Sequence, residues 1–181
     1  MQRGTLFLVV GPSGAGKDTL LDAARRRLDG DGRYCFPKRL ITRPPDAGGE
    51  DHIAVSPQQF EAKKSNGELV LHWTAHGQSY GIPASTAEAL ATGQNVVVNV
   101  SRSVWNEARL HLQPVRILSV EVPPDVLRKR LQNRGREEGG DLDERLRRAT
   151  AFAVDGDDVT VIRNDSDIET AAARFVQALI L

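Results

Sequence analysis

Apolar residues first gather in a short unbroken run, Thr5 to Val10, closed behind by turn residues. A run of that length with turn signals after it predicts a buried strand. The turn Gly11 to Gly16 leads into Lys17, after which Leu20, Leu21, Ala24 and Leu28 recur at helical spacing. Asn95 to Asn99 and Val115 to Val122 predict two further central strands, and Val159 to Ile162 a fourth. Between them Pro123 and Pro124 open a helix carrying Val126, Leu127 and Leu131, because proline suits the first helical turn. A polar gap from Gly135 to Gly140 precedes a helix with Asp141 and Glu144 at capping-box spacing. The last helix is predicted to place Ile168, Ala171, Ala172, Phe175, Val176, Leu179 and Ile180 on one face.

Strands alternating with helices predict an α/β chain built on a parallel sheet covered by helices on both faces. Residues 39–85 interrupt the alternation, since Pro44, Pro45, Gly48 and Gly49 break any long element and only short alternating pieces surround Gly67, Gly77 and Gly81. They read as an irregular excursion from one domain, and the gap near 134–142 as a second, shorter one.

Composition narrows the partners. Lys+Arg and Asp+Glu both number 24 in 181 residues, a balance that points to neither nucleic acid nor an acidic membrane surface. Cys35 is the single cysteine, so no internal disulfide forms, which suits a reducing, cytoplasmic setting. The apolar run after Met1 is too short for a signal sequence or a membrane span. Positive charge is concentrated instead of spread: Arg128, Arg130, Arg134, Arg136, Arg145, Arg147 and Arg148 crowd one late stretch. Either these arginines line a solvated helix face or some of them meet phosphate.

The residues Gly11, Pro12, Ser13, Gly14, Ala15, Gly16 and Lys17 give G-x-x-x-x-G-K between a predicted strand and a predicted helix. Such a turn wraps phosphate oxygens with inward N–H groups, and the helix behind it presents its positive end to the same anion. Lys17 is then placed to reach the β- and γ-phosphates of ATP. Where the common motif has Ser or Thr for Mg²⁺, this chain has Asp18, with Thr19 next. Asp18 either binds Mg²⁺, directly or through water, or is an exposed acid favoured by the helix N-terminus.

With the loop come Thr42, Arg43, Pro44 and Pro45, then Glu50 and Asp51, Asn66 to Glu68, Tyr80 and Gly81, Pro123 and Pro124, Arg130, Arg134, Asn164 and Asp165. In this order the chain resembles a guanylate kinase from Leu6 onward. The resemblance implies a P-loop nucleoside monophosphate kinase fold: a core over 1–38 and 86–181, an acceptor-binding insertion over about 39–85 and a lid near 134–142. It also implies that Arg43 and Tyr80 hold the acceptor phosphate, that Arg130, Arg134 and Arg145 stabilise the transferring group, and that Asn164 joins residues 11–19 in binding ATP. Arginine suits that work because its fork meets phosphate oxygens in pairs and stays ionised.

The guanine reader is not kept. Its two carboxylates fall on Leu71 and Ser101, a phosphate-binding tyrosine becomes His52 and a second arginine becomes Asp46. Guanine against a leucine loses hydrogen bonds worth about 1–3 kcal/mol each. Removing two negative charges also admits a second phosphate, and Arg39, His52, His76 and Arg102 are nearby in the sequence pattern. The Gly16-Lys17-Asp18 loop, Tyr80 to Pro83 and Val98 to Arg102 look like the ribose 1,5-bisphosphate phosphokinases of phosphonate breakdown. That resemblance implies the acceptor residues Arg43, His52, Tyr80, Ser101 and Arg102 and a product, 5-phosphoribosyl 1-diphosphate. A phosphate oxygen is already ionised and needs no general base, in keeping with the lack of a Ser/His/Asp or Cys/His arrangement. His111 reads as a surface residue and His72 as packing. Two other readings stay open: another phosphorylated acceptor, GMP included, and a guanylate-kinase-like module that only binds a protein.

Overall fold

The computed structural model describes residues 2–45, 50–133 and 154–180. Its strands are β1 (Leu6–Val10), β2 (Tyr34–Cys35), β3 (Leu40–Ile41), β4 (Ile53–Ala54), β5 (Leu69–Ala75), β6 (Gln78–Pro83), β7 (Asn95–Asn99), β8 (Val115–Glu121) and β9 (Val159–Arg163). Its helices are α1 (Lys17–Arg27), α2 (Pro57–Ser65), α3 (Ser85–Ala91), α4 (Trp105–His111), α5 (Pro124–Asn133) and α6 (Ile168–Ile180), with a 3₁₀ turn over Arg102–Val104. A central parallel sheet has the order β2-β7-β1-β8-β9. Every residue of β1 is buried, as a central strand covered on both faces requires. The predicted helix over 141 onward and the lid near 134–142 lie outside the described residues.

Contacts divide the chain into two compact units, Met1–Leu8 with Gly30–Val115, and Val9–Asp29 with Arg116–Leu181. In the first, β2 runs parallel to β7, pairing Tyr34 with Asn95. This fifth strand escapes the sequence pattern because two residues carry no periodicity.

Residues 39–85 are not irregular, as their Pro and Gly content suggested. They form a second sheet of order β4-β3-β6-β5, in which β5 and β6 are an antiparallel hairpin pairing Trp73 with Tyr80 and Ala75 with Gln78. The two residues between, His76 and Gly77, have φ of 51° and 71°. Positive φ at both central positions is the tight hairpin turn whose twist matches the strands. Helix α2 begins at a full capping box: Ser56 Oγ accepts from the Gln59 amide at 3.1 Å and Gln59 Oε1 accepts from the Ser56 amide at 2.8 Å. Only Phe60 of α2 is buried, so this helix has no apolar stripe to betray it. Helices α3 and α4 are too short for a clear period.

In the second unit β8 pairs in parallel with β9 from Ile117–Val159 to Glu121–Arg163. Leu127 and Leu131 of α5 close over Val122. Helix α6 packs along α1, with Arg27 ion-paired to Glu169. The buried face of α6 is Ala171, Ala172, Phe175, Ala178 and Leu179. Ile168 and Ile180, expected on that face at the first and last turns, are 42% and 55% exposed, and Val176 is half-buried. Asp167 caps the helix through the Thr170 amide at 2.9 Å, and that hydrogen bond holds its carboxyl below the usual range. Among the described residues no helix is long and apolar enough to cross a membrane.

Candidate active site

The phosphate loop belongs to the second unit and follows β1 directly. Gly11 has φ 151°, and a Cβ there would stand 2.6 Å from the Val120 carbonyl oxygen. Backbone cannot retreat as a side chain can, so the close approach of loop to β8 needs glycine. Gly16 is the residue before α1 at φ 85°, and a Cβ on it would meet Asn164 Nδ2 at 2.5 Å. Such left-handed backbone turns the chain sharply into α1, aiming the first amides of the helix back at the loop.

Three side chains grip this turn. Lys17 Nζ donates to the carbonyls of Gly11 and Pro12 at 2.8 and 2.9 Å. Asn164, 3% exposed, donates from Nδ2 to the Ala15 carbonyl at 2.6 Å. Arg130 reaches the same carbonyl with Nη1 at 3.4 Å and the Asn164 carbonyl with Nη2 at 3.2 Å. A groove of about 290 Å³ opens beside them, lined by Gly14, Gly16, Thr19, Arg130, Asn164, Ser166 and Ile168. Thus the structure brings Asn164 and Arg130, which are remote in sequence, onto the loop. Ser166 and Ile168 were not anticipated as lining; their only signal was the polar turn after β9.

Ser13, Asp18 and Thr19 are exposed. Asp18 and Thr19 are hard oxygen donors of the kind Mg²⁺ takes, and among the described residues no group of three His, Cys, Asp or Glu side chains could hold a metal. That donor set fits an ion held mainly by phosphates and water with one protein oxygen, the usual habit of Mg²⁺.

The predicted acceptor residues belong to the first unit. Strand β3 runs parallel to β4 and antiparallel to β6, with Ile41 opposite Tyr80. Thr42 follows, accepting the Ser79 amide at 2.8 Å. Arg43 and His52 meet: Arg43 Nη2 lies 3.4 Å from His52 Nδ1, which is 3.0 Å from the Glu50 carbonyl, while Nε2 is 3.1 Å from the Arg43 carbonyl. A carbonyl only accepts, so each imidazole nitrogen that bears a proton donates to the chain. Arg43 Nε is buried with no hydrogen-bond partner in the protein. Such a group calls for an acceptor.

Tyr80 stacks on Trp73, rings 5.3 Å apart and 4° from parallel. Arg39 lies over both rings, 5.3 Å from the Tyr80 centroid and 5.7 Å from that of Trp73. Leu71 is 1% exposed in β5, and β5 packs against the Arg102–Val104 turn. Ser101 Oγ accepts from the Ser103 amide and hydroxyl at 3.3 and 3.0 Å. Burial lowers the Arg102 pKa, but a guanidinium stays charged. Burial likewise pushes the Cys35 thiol up, away from thiolate chemistry. His111 is exposed and His72 half-buried beside Trp73. Arg134, Arg145 and Asp46 lie outside the described residues.

The guanylate kinase family pattern matches residues 3–180. A bifunctional ribose 1,5-bisphosphokinase-thymidine phosphorylase of Cupriavidus pinatubonensis is 43% identical over 98% of this chain. The chain spans only 29% of that relative's length. The ribose 1,5-bisphosphate phosphokinase PhnN of Thiobacillus denitrificans is 42% identical, covering 99% of this chain and 94% of the relative. A crystal structure of guanylate kinase from Anaplasma phagocytophilum superposes with a TM-score of 0.66 at 21% identity, over 99% of this chain and 86% of that one. At that identity the likeness is one of fold.

Proposed function

Because the chain belongs to the guanylate kinase family, we propose that it transfers the γ-phosphoryl group of ATP to ribose 1,5-bisphosphate, giving 5-phosphoribosyl 1-diphosphate and ADP. The observation that carries this reading is the near full-length similarity to a relative named for that acceptor. Two features of the first unit support it. Arg43 Nε is a buried donor that a phosphate oxygen would satisfy. Leu71, where a guanine reader has a carboxylate, is buried and apolar, so neither a base donor is met nor a second phosphate repelled.

An oxygen of the 1-phosphate attacks the γ-phosphorus of ATP. The new P–O bond forms as the bond from the γ-phosphorus to the β,γ-bridging oxygen breaks, and ADP leaves with that electron pair. No proton has to move when the attacking phosphate is ionised. Catalysis is then alignment and charge neutralisation. Lys17 and the loop amides hold the donor phosphates, Arg43 and Tyr80 hold the attacking phosphate, and His52, Ser101 and Arg102 serve the rest of the acceptor. Arg130, with Arg134 and Arg145, meets the charge of the transferring group. Mg²⁺ bound with ATP supplies further neutralisation, and Asp18 or Thr19 would hold it. Residues 39–85 act as the acceptor-binding insertion and 134–142 as the lid, in a cytoplasmic enzyme of small-molecule substrates.

Product identification after incubation with ribose 1,5-bisphosphate, ATP and Mg²⁺ tests the reading, with GMP and other sugar phosphates alongside. Turnover of GMP alone would replace the acceptor; absence of ATP binding by calorimetry would favour a non-catalytic module. Tyr80→Phe should raise the acceptor KM about tenfold, the worth of one hydrogen bond to a charged group, with the ATP KM little changed. A rise confined to the ATP KM would misplace the clamp. Asp18→Ser should raise the Mg²⁺ concentration for half-maximal rate about tenfold. An unchanged metal titration would make Asp18 a helix-end charge only.

A further inference from the structure

The first unit holds a charged side chain that no step above uses. Arg39 is 9% exposed, and burying an arginine is costly unless its charge is met and its donors are satisfied. Here both conditions hold. Its Nε donates to Glu50 Oε2 at 2.9 Å and its Nη2 to Glu50 Oε1, a paired fork-to-carboxylate contact. The same guanidinium lies within cation–π range of two rings, its central carbon 5.3 Å from the Tyr80 centroid and 5.7 Å from that of Trp73.

The contacts continue on both sides. Tyr80 stacks on Trp73, its cross-strand partner in the hairpin. Glu50, fixed by Arg39, presents its main-chain carbonyl to His52 Nδ1 at 3.0 Å, and His52 Nε2 faces the Arg43 carbonyl at 3.1 Å. Arg39 therefore meets the ring of one member of the acceptor clamp and leads to the other through Glu50 and His52. Strand register explains why one residue can do so. Arg39 precedes β3, its carbonyl accepts the Ile53 amide of β4 at 2.9 Å, and the other neighbour of β3 is the Tyr80 strand.

We infer that Arg39 is the positioning residue of the acceptor clamp, acting through the Tyr80 ring and the Glu50–His52–Arg43 chain without touching the acceptor. Lysine keeps the charge but has neither a planar face nor a rigid fork, so Arg39→Lys is not conservative at this place. The inference rests on the clamp assignment for Arg43 and Tyr80, and its test separates the two.

The test is a double-mutant cycle of Arg39→Lys with Tyr80→Phe, reading the KM for acceptor and for ATP, with ribose 1,5-bisphosphate or whichever phosphorylated acceptor the wild type turns over. Arg39→Lys alone should raise the acceptor KM about tenfold and leave the ATP KM within about twofold. On the Tyr80→Phe background it should add about threefold or less, the share carried by the Glu50–His52–Arg43 chain, because the hydroxyl it positions is already gone. The near-ultraviolet circular dichroism of the stacked Trp73–Tyr80 pair should change in Arg39→Lys without any substrate present. Equal tenfold effects on both backgrounds would mean that Arg39 does not act through Tyr80, overturning the inference. So would an unchanged KM and dichroism, or a lowered Tm with normal kinetics, which would make Arg39 a packing residue. Failure of Tyr80→Phe alone to move the acceptor KM would instead reject the clamp, and turnover of a different acceptor would reject only the substrate.

Discussion

Replacing Lys17 with alanine should lower kcat by about 10²–10³-fold, the cost of removing one preorganised charge from a transferring phosphoryl group. Its ammonium has two carbonyl partners in the loop, Gly11 and Pro12. Both are groups of the turn itself, so the cation lies against the loop. The turn keeps other ties when Lys17 is lost: the Ala15 amide donates to the Pro12 carbonyl at 3.2 Å and Asn164 still holds the Ala15 carbonyl. The variant should therefore melt near the wild-type temperature while turning over slowly. Steady-state rates beside a thermal melt decide it. A folded Lys17→Ala protein with a rate within about threefold of wild type would remove Lys17 from the mechanism.

Arg130 is the second side chain on which a large effect is expected. Its two terminal nitrogens face two different carbonyls, of Ala15 and Asn164, and it lines the groove beside Gly16 and Thr19. A planar fork can brace the loop and still present charge to a phosphate; an ammonium on a flexible stem offers no such fixed divergence. Arg130→Ala should cost about 10²-fold or more in kcat, and Arg130→Lys should recover little of it. ATP affinity measured by calorimetry should fall much less than kcat in both. The opposite pattern, weakened ATP binding with kcat intact, would make Arg130 a brace of the loop and nothing more.

The phosphate loop and the proposed acceptor residues differ in how far the residues alone disclose them. A strand, a glycine turn and a helix are contiguous, so the phosphate loop is local and its motif states its own geometry. Arg43 and Tyr80 are not contiguous. Resemblance alone singles them out, and the hairpin that sets Tyr80 escapes the sequence pattern because Pro and Gly signals outweigh a short alternation in Leu69–Ala75. Helix α2 was hidden for a related reason: a capping box starts it, but a single buried Phe60 gives no stripe. Arg39 showed only as one nearby cation, since neither its charge nor its spacing tells whether it faces solvent, an acceptor or a carboxylate.

By itself, then, the sequence determined the alternation of strands and helices, the phosphate loop and the apolar Leu71 where the resemblance implies a carboxylate. Each is written in neighbouring residues or in the identity of one residue. Tertiary structure alone decided that residues 39–85 form a sheet, that Asn164 and Arg130 close on the Ala15 carbonyl, and that Arg39 lies locked by Glu50 against Tyr80. These depend on pairing between strands far apart in the chain and on which buried polar group finds which partner. Local propensity carries no term for either, because the energy of a buried hydrogen bond or ion pair resides in the partner's position and not in the residue.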